Sequence, residues 1–147
     1  MKTRFFFTSY LVGNLGLVLY GLLALLRPSL LLEAFTLHVY QFPAEASIAV
    51  NYLSALFRLL GFFNLILGSL NLLLLHHYRV SQASWVMPAV VFATLLGYLG
   101  PIIFDNTVGS IGLFEIIEHF LFAILVLSGL TNLRRIKQVA IGKEVKT

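Results

Sequence analysis

Long apolar runs separated by short polar segments dominate this sequence. Four of the runs are long enough to cross the hydrocarbon core of a bilayer, which takes about 20 helical residues. The runs predict helices at about 5–26, 44–75, 85–104 and 108–133, an outer loop at 27–43 and a tail at 134–147. The sequence therefore predicts an all-α fold, an integral membrane four-helix bundle in which residues 1–147 form a single membrane domain.

Composition strengthens the membrane assignment. Hydrophobic residues make up 59% of the chain and charged residues only 11%, which is more apolar surface than a soluble domain of this length can bury. The chain has no cysteine, so disulfides, thiolate metal sites and covalently attached haem are excluded. Any cofactor has to be held by nitrogen or oxygen ligands or by packing.

The distribution of cations predicts the orientation. In a four-span arrangement only Arg27 lies in the loops on one side of the membrane, whereas eight of the ten Lys and Arg residues lie on the other. Cytoplasmic segments carry the excess of Lys and Arg, so both termini are predicted to be cytoplasmic, in a cell inner membrane or its equivalent. The net charge of +4 thus reflects topology, and nucleic acid is not an expected partner because no basic soluble surface is present. The eight cations are Lys2, Arg4, Arg79, Arg134, Arg135, Lys137, Lys143 and Lys146.

Ionisable residues inside the apolar runs are the candidate functional residues. Glu115, Glu118 and His119 are spaced i, i+3 and i+4, which places them on one face of the fourth helix. Arg58 lies about ten residues from the outer end of the second helix, a depth similar to theirs. Because an unpaired charge within a membrane is costly, we expect Arg58 to pair with Glu118 or Glu115.

Two asparagines extend this candidate cluster, and its role stays open at this point. Asn51 precedes Arg58 on one helical stripe, and Asn14 reaches a comparable depth on the first helix. One interpretation is a structural salt bridge that holds two helices in register. The other is a polar pocket for a polar headgroup, a quinone-like ring or a proton.

The cofactor is not identified by these residues. Di-iron bundles repeat a Glu-x-x-His motif on several helices, whereas Glu-x-x-Glu-His occurs once here, so no metal site is predicted. His119 alone can ligate one tetrapyrrole. Quinone, lipid and a tetrapyrrole therefore remain the candidate ligands.

The outer loop is unusually apolar and has two possible structures. Leu30, Leu31, Leu32 and Phe35 can lie in the membrane interface as a short helix. The alternation of apolar and polar residues around positions 35–40 is also compatible with a strand. Either structure makes the loop a cover for the bundle or a docking surface.

Small residues on the second helix indicate close helix packing. Gly61 and Gly68 are seven residues apart, with Asn64 and Asn71 on a neighbouring stripe. Such residues let helix backbones approach and let amides form hydrogen bonds across helices. Packing within the bundle is favoured over a binding cleft.

A family resemblance rests on a few of these positions. Four short spans, Pro28 soon after the first, and Arg58-x-x-Gly61 followed by Gly68 in the second resemble the DoxX-like superfamily of small bacterial and archaeal membrane proteins. The resemblance covers roughly residues 11–133. It implies a four-helix bundle, in some members a subunit linked to quinone-dependent oxidation of sulfur compounds. Of the candidate residues only Arg58 carries over, because the Glu115, Glu118 and His119 cluster is not a family motif.

The expected function is that of an accessory or assembly subunit of a larger membrane complex, without catalytic turnover of its own. A catalytic site normally requires a nucleophile, a positioned acid and base, or a metal with several ligands. The candidate cluster holds no reactive cysteine and no repeated metal motif. The expected partners are the lipid bilayer and other membrane protein subunits. Two alternatives are ligand or proton binding through the polar pocket and a pigment- or haem-binding redox role.

Overall fold

The computed structural model describes residues 2–38, 47–81, 83, 85–108 and 112–144. Helices make up 96% of it, and these residues contain no strand, which confirms the all-α prediction. The five helices are α1 (Lys2–Leu26), α2 (Pro28–His38), α3 (Ser47–Ser81), α4 (Val86–Val108) and α5 (Leu113–Glu144).

Four of these helices are long and apolar enough to cross a membrane. The spans are Arg4–Leu26, Ile48–Val80, Val86–Thr107 and Glu115–Leu133. Fewer than half of the residues in each span are buried inside the bundle. The remaining apolar surface has to be covered by lipid or by other protein, as expected for a multi-pass membrane protein.

The helix boundaries differ from the sequence prediction at the ends of α4 and α5. Helix α4 continues past residue 104 as far as Val108, so Asp105 belongs to a helix and not to an outer loop. Helix α5 begins at Leu113 and continues beyond residue 133 to Glu144, so most of the predicted tail is helical. Apolar periodicity finds the centre of a span, whereas polar residues at its ends can extend the helix without any hydropathy signal.

The loop predicted at 27–43 contains a short helix, in agreement with the first of the two alternatives. Helix α2 begins at Pro28, and proline suits the first turn of a helix because its missing N–H has no helical partner there. The backbone N–H of Arg27 donates to the carbonyl of Leu23, so α2 follows α1 with no intervening loop. Residues 39–46, which include part of the possible strand, lie outside the described residues.

The four spanning helices form a ring in the order α1, α3, α4 and α5. Each contacts the next, α5 closes on α1, and α1 also contacts α4 across the ring. We call the end with the start of α1, the end of α3 and the start of α4 the termini end. We call the opposite end, where α2 contacts α1 and α3, the α2 end.

One stripe of α3 faces the bundle from Phe57 to Leu75. Its buried positions recur at alternating intervals of four and three residues, the spacing of a helix that keeps one seam against its neighbours. A Cβ added to Gly61 would lie 2.8 Å from the carbonyl oxygen of Gly21, so only glycine permits this approach of α1 and α3. The stripe consists of Phe57, Gly61, Asn64, Gly68, Asn71 and Leu75.

The tightly packed core lies towards the termini end. Phe6 and Tyr10 of α1 are fully buried, their ring centroids 4.5 Å apart, and Leu75, Val86 and Leu125 join the same cluster. The Tyr10 hydroxyl donates a 2.9 Å hydrogen bond to the carbonyl of Leu125. The core therefore fixes the helices at one end of the bundle and leaves the other end less filled.

Candidate functional site

A cavity of about 700 Å³ occupies the α2 end of the bundle. This volume lies within the range of pockets that enclose small organic molecules. All five helices contribute to its wall, and most of the lining side chains are apolar. The lining residues are Gly16, Leu17, Leu19, Tyr20, Leu23, Leu30, Leu31, Phe57, Asn64, Tyr98, Pro101, Phe104, Asp105, Glu115, Ile117, Glu118 and Leu121.

The charged residues of this wall are all acidic. Asp105 comes from the last turns of α4, whereas Glu115 and Glu118 come from the first turns of α5. Glu118 lies within electrostatic range of both other carboxyl groups, and no Lys, Arg or His is among the lining residues. Like charges at such range repel each other more strongly in a low-dielectric interior than in water, so this end of the cavity favours a positively charged group.

Glu115 already has a structural partner. Its Oε2 accepts a 2.7 Å hydrogen bond from the backbone N–H of Gly112, the residue that precedes α5. This is the reciprocal half of a capping box, in which the third helical residue binds the N-cap backbone. Asp105 and Glu118 make no such hydrogen bond with the described residues, so these two are the carboxyl groups left for a ligand.

Asn64 provides a polar group deeper in the cavity. The residue lies in the buried stripe of α3, is only 6% exposed, and lines the cavity. Its Nδ2 has no hydrogen-bond partner among the residues that the structure describes. An unsatisfied buried donor costs about 1–3 kcal/mol, and a ligand with an acceptor would remove that cost.

Two tyrosines, Tyr20 and Tyr98, add hydroxyl groups to the cavity wall. The Tyr98 hydroxyl donates a 2.7 Å hydrogen bond to the carbonyl of Gly13, which leaves its oxygen free to accept. Tyr20 lines the cavity and lies within electrostatic range of the three carboxyl groups. Because a hydroxyl both donates and accepts, these side chains can adapt to a ligand's polar atoms.

His119 lies beside the acidic cluster and is not a lining residue. Its Nδ1 is 2.6 Å from the Glu115 carbonyl, and its Nε2 is 2.9 Å from the amide nitrogen of Asn106. The same amide nitrogen also donates to the carbonyl of Ile102. With both ring nitrogens engaged, His119 ties α5 to α4. No group of three or more His, Asp or Glu side chains in the described part of the chain is arranged to hold a metal ion.

The expected pair of Arg58 with Glu118 or Glu115 is not formed. Arg58 is exposed on the outside of the bundle, and the described residues contain no salt bridge. The reason is rotation, because successive helical residues differ by about 100° and it is the preceding residue, Phe57, that faces the cavity. Depth along the membrane was therefore a poor guide to contact.

Neither predicted asparagine belongs to the cavity. Asn51 is exposed on α3. Asn14 is fully buried but forms hydrogen bonds with Asn71 and Thr94 in the middle of the bundle. Of the six predicted site residues, Glu115 and Glu118 line the cavity, His119 supports them, and the other three lie elsewhere.

Sequence reasoning missed four polar lining residues, Tyr20, Asn64, Tyr98 and Asp105. Asp105 was assigned to a loop, although it lies seven residues after Tyr98 and so on the same helical face. Asn64 likewise lies seven residues after Phe57. Both pairs were readable from the sequence, but only once the face of each helix that points inward was known.

No family model, curated protein or solved structure matches this chain. The resemblance to the DoxX-like superfamily therefore stays a prediction.

Proposed function

We propose that this chain is a membrane-embedded binding protein that holds a small amphipathic molecule in the cavity at the α2 end. The observation that carries the proposal is the 700 Å³ chamber, whose wall includes the Asn64 amide, unpaired among the described residues. Apolar side chains cover most of its wall and accept the apolar part of such a molecule. Asp105 and Glu118 at one end, and Asn64 deeper inside, then fix its orientation.

Binding is favoured over catalysis because the polar groups do not converge on one point. A catalytic site requires a reacting atom within about 3 Å of several cooperating groups. Here Asp105 follows Phe104, which packs against Phe57, and Asn64 lies two helical turns from Phe57 along α3. That distribution suits a molecule held along its length.

The orientation that we propose places both termini in the cytoplasm and the chain in an inner membrane or its equivalent. It rests on the eight-to-one distribution of Lys and Arg between the two sides. The cavity then lies in the outer half of the bilayer. A ligand would enter it from the outer leaflet or the outer aqueous phase.

The test is recovery of a bound molecule from protein extracted gently into lipid nanodiscs. Leu121 lines the cavity, so Leu121→Trp should fill it and displace the ligand. Leu127 lies on the same helix and is 65% exposed, so Leu127→Trp is the matched control. Native mass spectrometry should show one bound small molecule in the parent chain and in the control, and none in Leu121→Trp.

Two results would contradict this function. One is a parent chain that retains no molecule and binds none of a panel of added amphiphiles. The other is equal retention by the Leu121→Trp and parent chains, which would place the bound molecule on the lipid-facing surface.

A second candidate function, an accessory subunit of a larger membrane complex, is favoured by the position of Arg58. This arginine lies within the span Ile48–Val80, is exposed, and forms no ion pair with a residue that the structure describes. A charge at the centre of a bilayer costs at least about 2.5–3.5 kcal/mol, less where its side chain can reach the headgroups. A partner subunit that brings an acidic side chain against α3 would offset this cost.

This second function predicts that Arg58→Leu abolishes co-purification of a stoichiometric membrane partner without unfolding the chain. Leu59→Ala, an exposed neighbour on α3, is the control. Equal recovery of the partner with parent, Arg58→Leu and Leu59→Ala chains would exclude Arg58 as the contact.

A further inference from the structure

The ligand class can be narrowed by the charges in the cavity, and the inference rests on the proposed binding function. Three of the seventeen lining residues are acidic and none is basic. Glu115 is bound to the N-cap of α5. Asp105 and Glu118 form no salt bridge with the described residues, and His119 lies within electrostatic range of Asp105. A ligand group that enters between these two carboxyl groups is therefore favoured when it is positively charged.

An organic cation fits this environment better than a metal ion. Hard metal ions take six or more oxygen ligands, and no suitable group of acidic or histidine side chains occurs in the described residues. The surroundings of the two carboxyl groups are largely apolar, with Phe104 and Ile117 among the lining residues. An alkyl-substituted ammonium supplies both the charge and the apolar surface.

A second polar contact for the ligand lies on α3. The ring of Phe57 packs edge-on against that of Phe104, with centroids 6.4 Å apart, so Phe57 is level with the residue that precedes Asp105. Asn64 lies two helical turns further along α3, a distance of about 10 Å. Its unpaired Nδ2 is a donor and requires an acceptor at that depth.

From these two contacts we infer that the cavity binds an amphipathic organic cation. Its ammonium group lies between Asp105 and Glu118, its apolar body fills the chamber, and an ether, hydroxyl or carbonyl oxygen accepts from Asn64. Tyr98, whose hydroxyl oxygen still has acceptor capacity, also lines the chamber. Protonated and quaternary amines are equally compatible with the two carboxylates.

The first test compares three probes with the same alkyl chain on the parent chain in nanodiscs of uncharged phospholipid. They are dodecyltrimethylammonium, dodecanol and dodecyl sulfate. We expect one equivalent of the cation to bind at least about tenfold more tightly than the alcohol, as for a charge-assisted contact, with the sulfate weakest. Because this comparison uses no variant, it does not depend on any variant folding.

The second test removes the charges without changing side-chain shape. Asp105→Asn combined with Glu118→Gln should lower the affinity for dodecyltrimethylammonium about tenfold to a hundredfold and leave dodecanol binding unchanged. Glu33→Gln, an exposed carboxyl of α2 that is not a lining residue, is the control and should have no effect. Circular dichroism and sizing check that each variant is folded.

The third test addresses Asn64. In a series of dodecyltrimethylammonium analogues with one ether oxygen at successive chain positions, the analogue whose oxygen reaches Asn64 should bind the parent chain more tightly than the plain probe. In Asn64→Leu this advantage should disappear, because leucine has no donor.

The outcomes separate this inference from the function on which it rests. Binding of dodecanol as tight as that of the cation, or unchanged cation affinity in the doubly neutralised variant, would overturn the cationic ligand and keep the binding function. Failure of all three dodecyl probes and the ether analogues to bind the parent chain would overturn both.

Discussion

The side-chain amide of Asn71 on α3 donates a 2.9 Å hydrogen bond to the amide oxygen of Asn14 on α1. The Asn14 nitrogen in turn donates to the carbonyl of Tyr10 and to the hydroxyl of Thr94 on α4, at 2.7 and 2.9 Å. One fully buried asparagine thus joins three helices just below the cavity. In an apolar bundle such a contact also specifies the rotation of each helix, because any other rotation leaves amides unpaired.

Asn14→Leu should therefore destabilise the bundle. The substitution leaves the Asn71 amide without one of its acceptors and the Thr94 hydroxyl without one of its partners, at a cost of about 1–2 kcal/mol on the scale measured for membrane helices. Thermal unfolding in detergent measures the change. Asn51→Leu removes an exposed asparagine and should be neutral, so equal losses for the two variants would contradict a special role for Asn14.

Gly61→Ala should be more damaging than the same change at Gly100. A Cβ at Gly61 would lie 2.8 Å from the Gly21 carbonyl oxygen and 2.7 Å from the Ala24 Cβ, whereas a Cβ at Gly100 meets nothing within 4 Å. Forcing α1 and α3 apart costs about 1–3 kcal/mol, while alanine at an unobstructed helical position is neutral or slightly stabilising. Unfolding temperatures of the two variants measure the difference. A decrease for Gly100→Ala as large as that for Gly61→Ala would contradict the close contact between α1 and α3.

The acidic residues of α5 should have separable roles. Glu115→Ala removes the capping hydrogen bond to Gly112 and should lower stability by about 0.5–2 kcal/mol. Glu118→Gln removes no hydrogen bond with a described residue and relieves repulsion, so stability should be unchanged or slightly higher. Unfolding and cation-binding measurements on both variants check this, and a Glu118→Gln chain that unfolds more readily than Glu115→Ala would reverse the assignment.

The proposed orientation is open to direct labelling. The chain has no native cysteine, so single cysteines introduced at Thr36 and Lys143 give signals without background. An impermeant thiol reagent applied to intact cells should label the first and reach the second only after permeabilisation. The opposite pattern would reverse the assigned topology.

Hydropathy was sufficient for the spanning helices and insufficient for the site. The four apolar runs correspond to α1, α3, α4 and α5, because burial in a membrane demands length and apolarity, and both can be read from a linear sequence. The cavity depends on which face of each helix turns inward, and a single residue step separates Phe57 on the wall from Arg58 outside it. The charge of Arg58 does not indicate which face of α3 points inward. The rotation of that helix is set by its buried stripe of glycines and asparagines.

The end of α4 shows a second limit of prediction from hydropathy, which concerns where a helix ends. Asp105 follows the apolar run, and hydropathy does not show whether a polar residue at this position belongs to a loop or to the last turns of the helix. Asp105 lies on the cavity wall because α4 continues to Val108. Residues in this last part of the helix do not need to be apolar. Polar residues near the ends of membrane helices are thus positions at which hydropathy alone cannot separate a boundary from a binding site.

Helix α2 gives the cavity a kinetic property as well as a shape. Leu30 and Leu31 form part of the wall, and the helix that carries them contacts α1 and α3. A molecule bound beneath them cannot pass on that side until α2 shifts, so its residence time follows the frequency of a local motion that leaves the four-helix ring intact. Affinity and exchange rate are then governed by different residues, the first by the carboxyl groups and the second by two leucines.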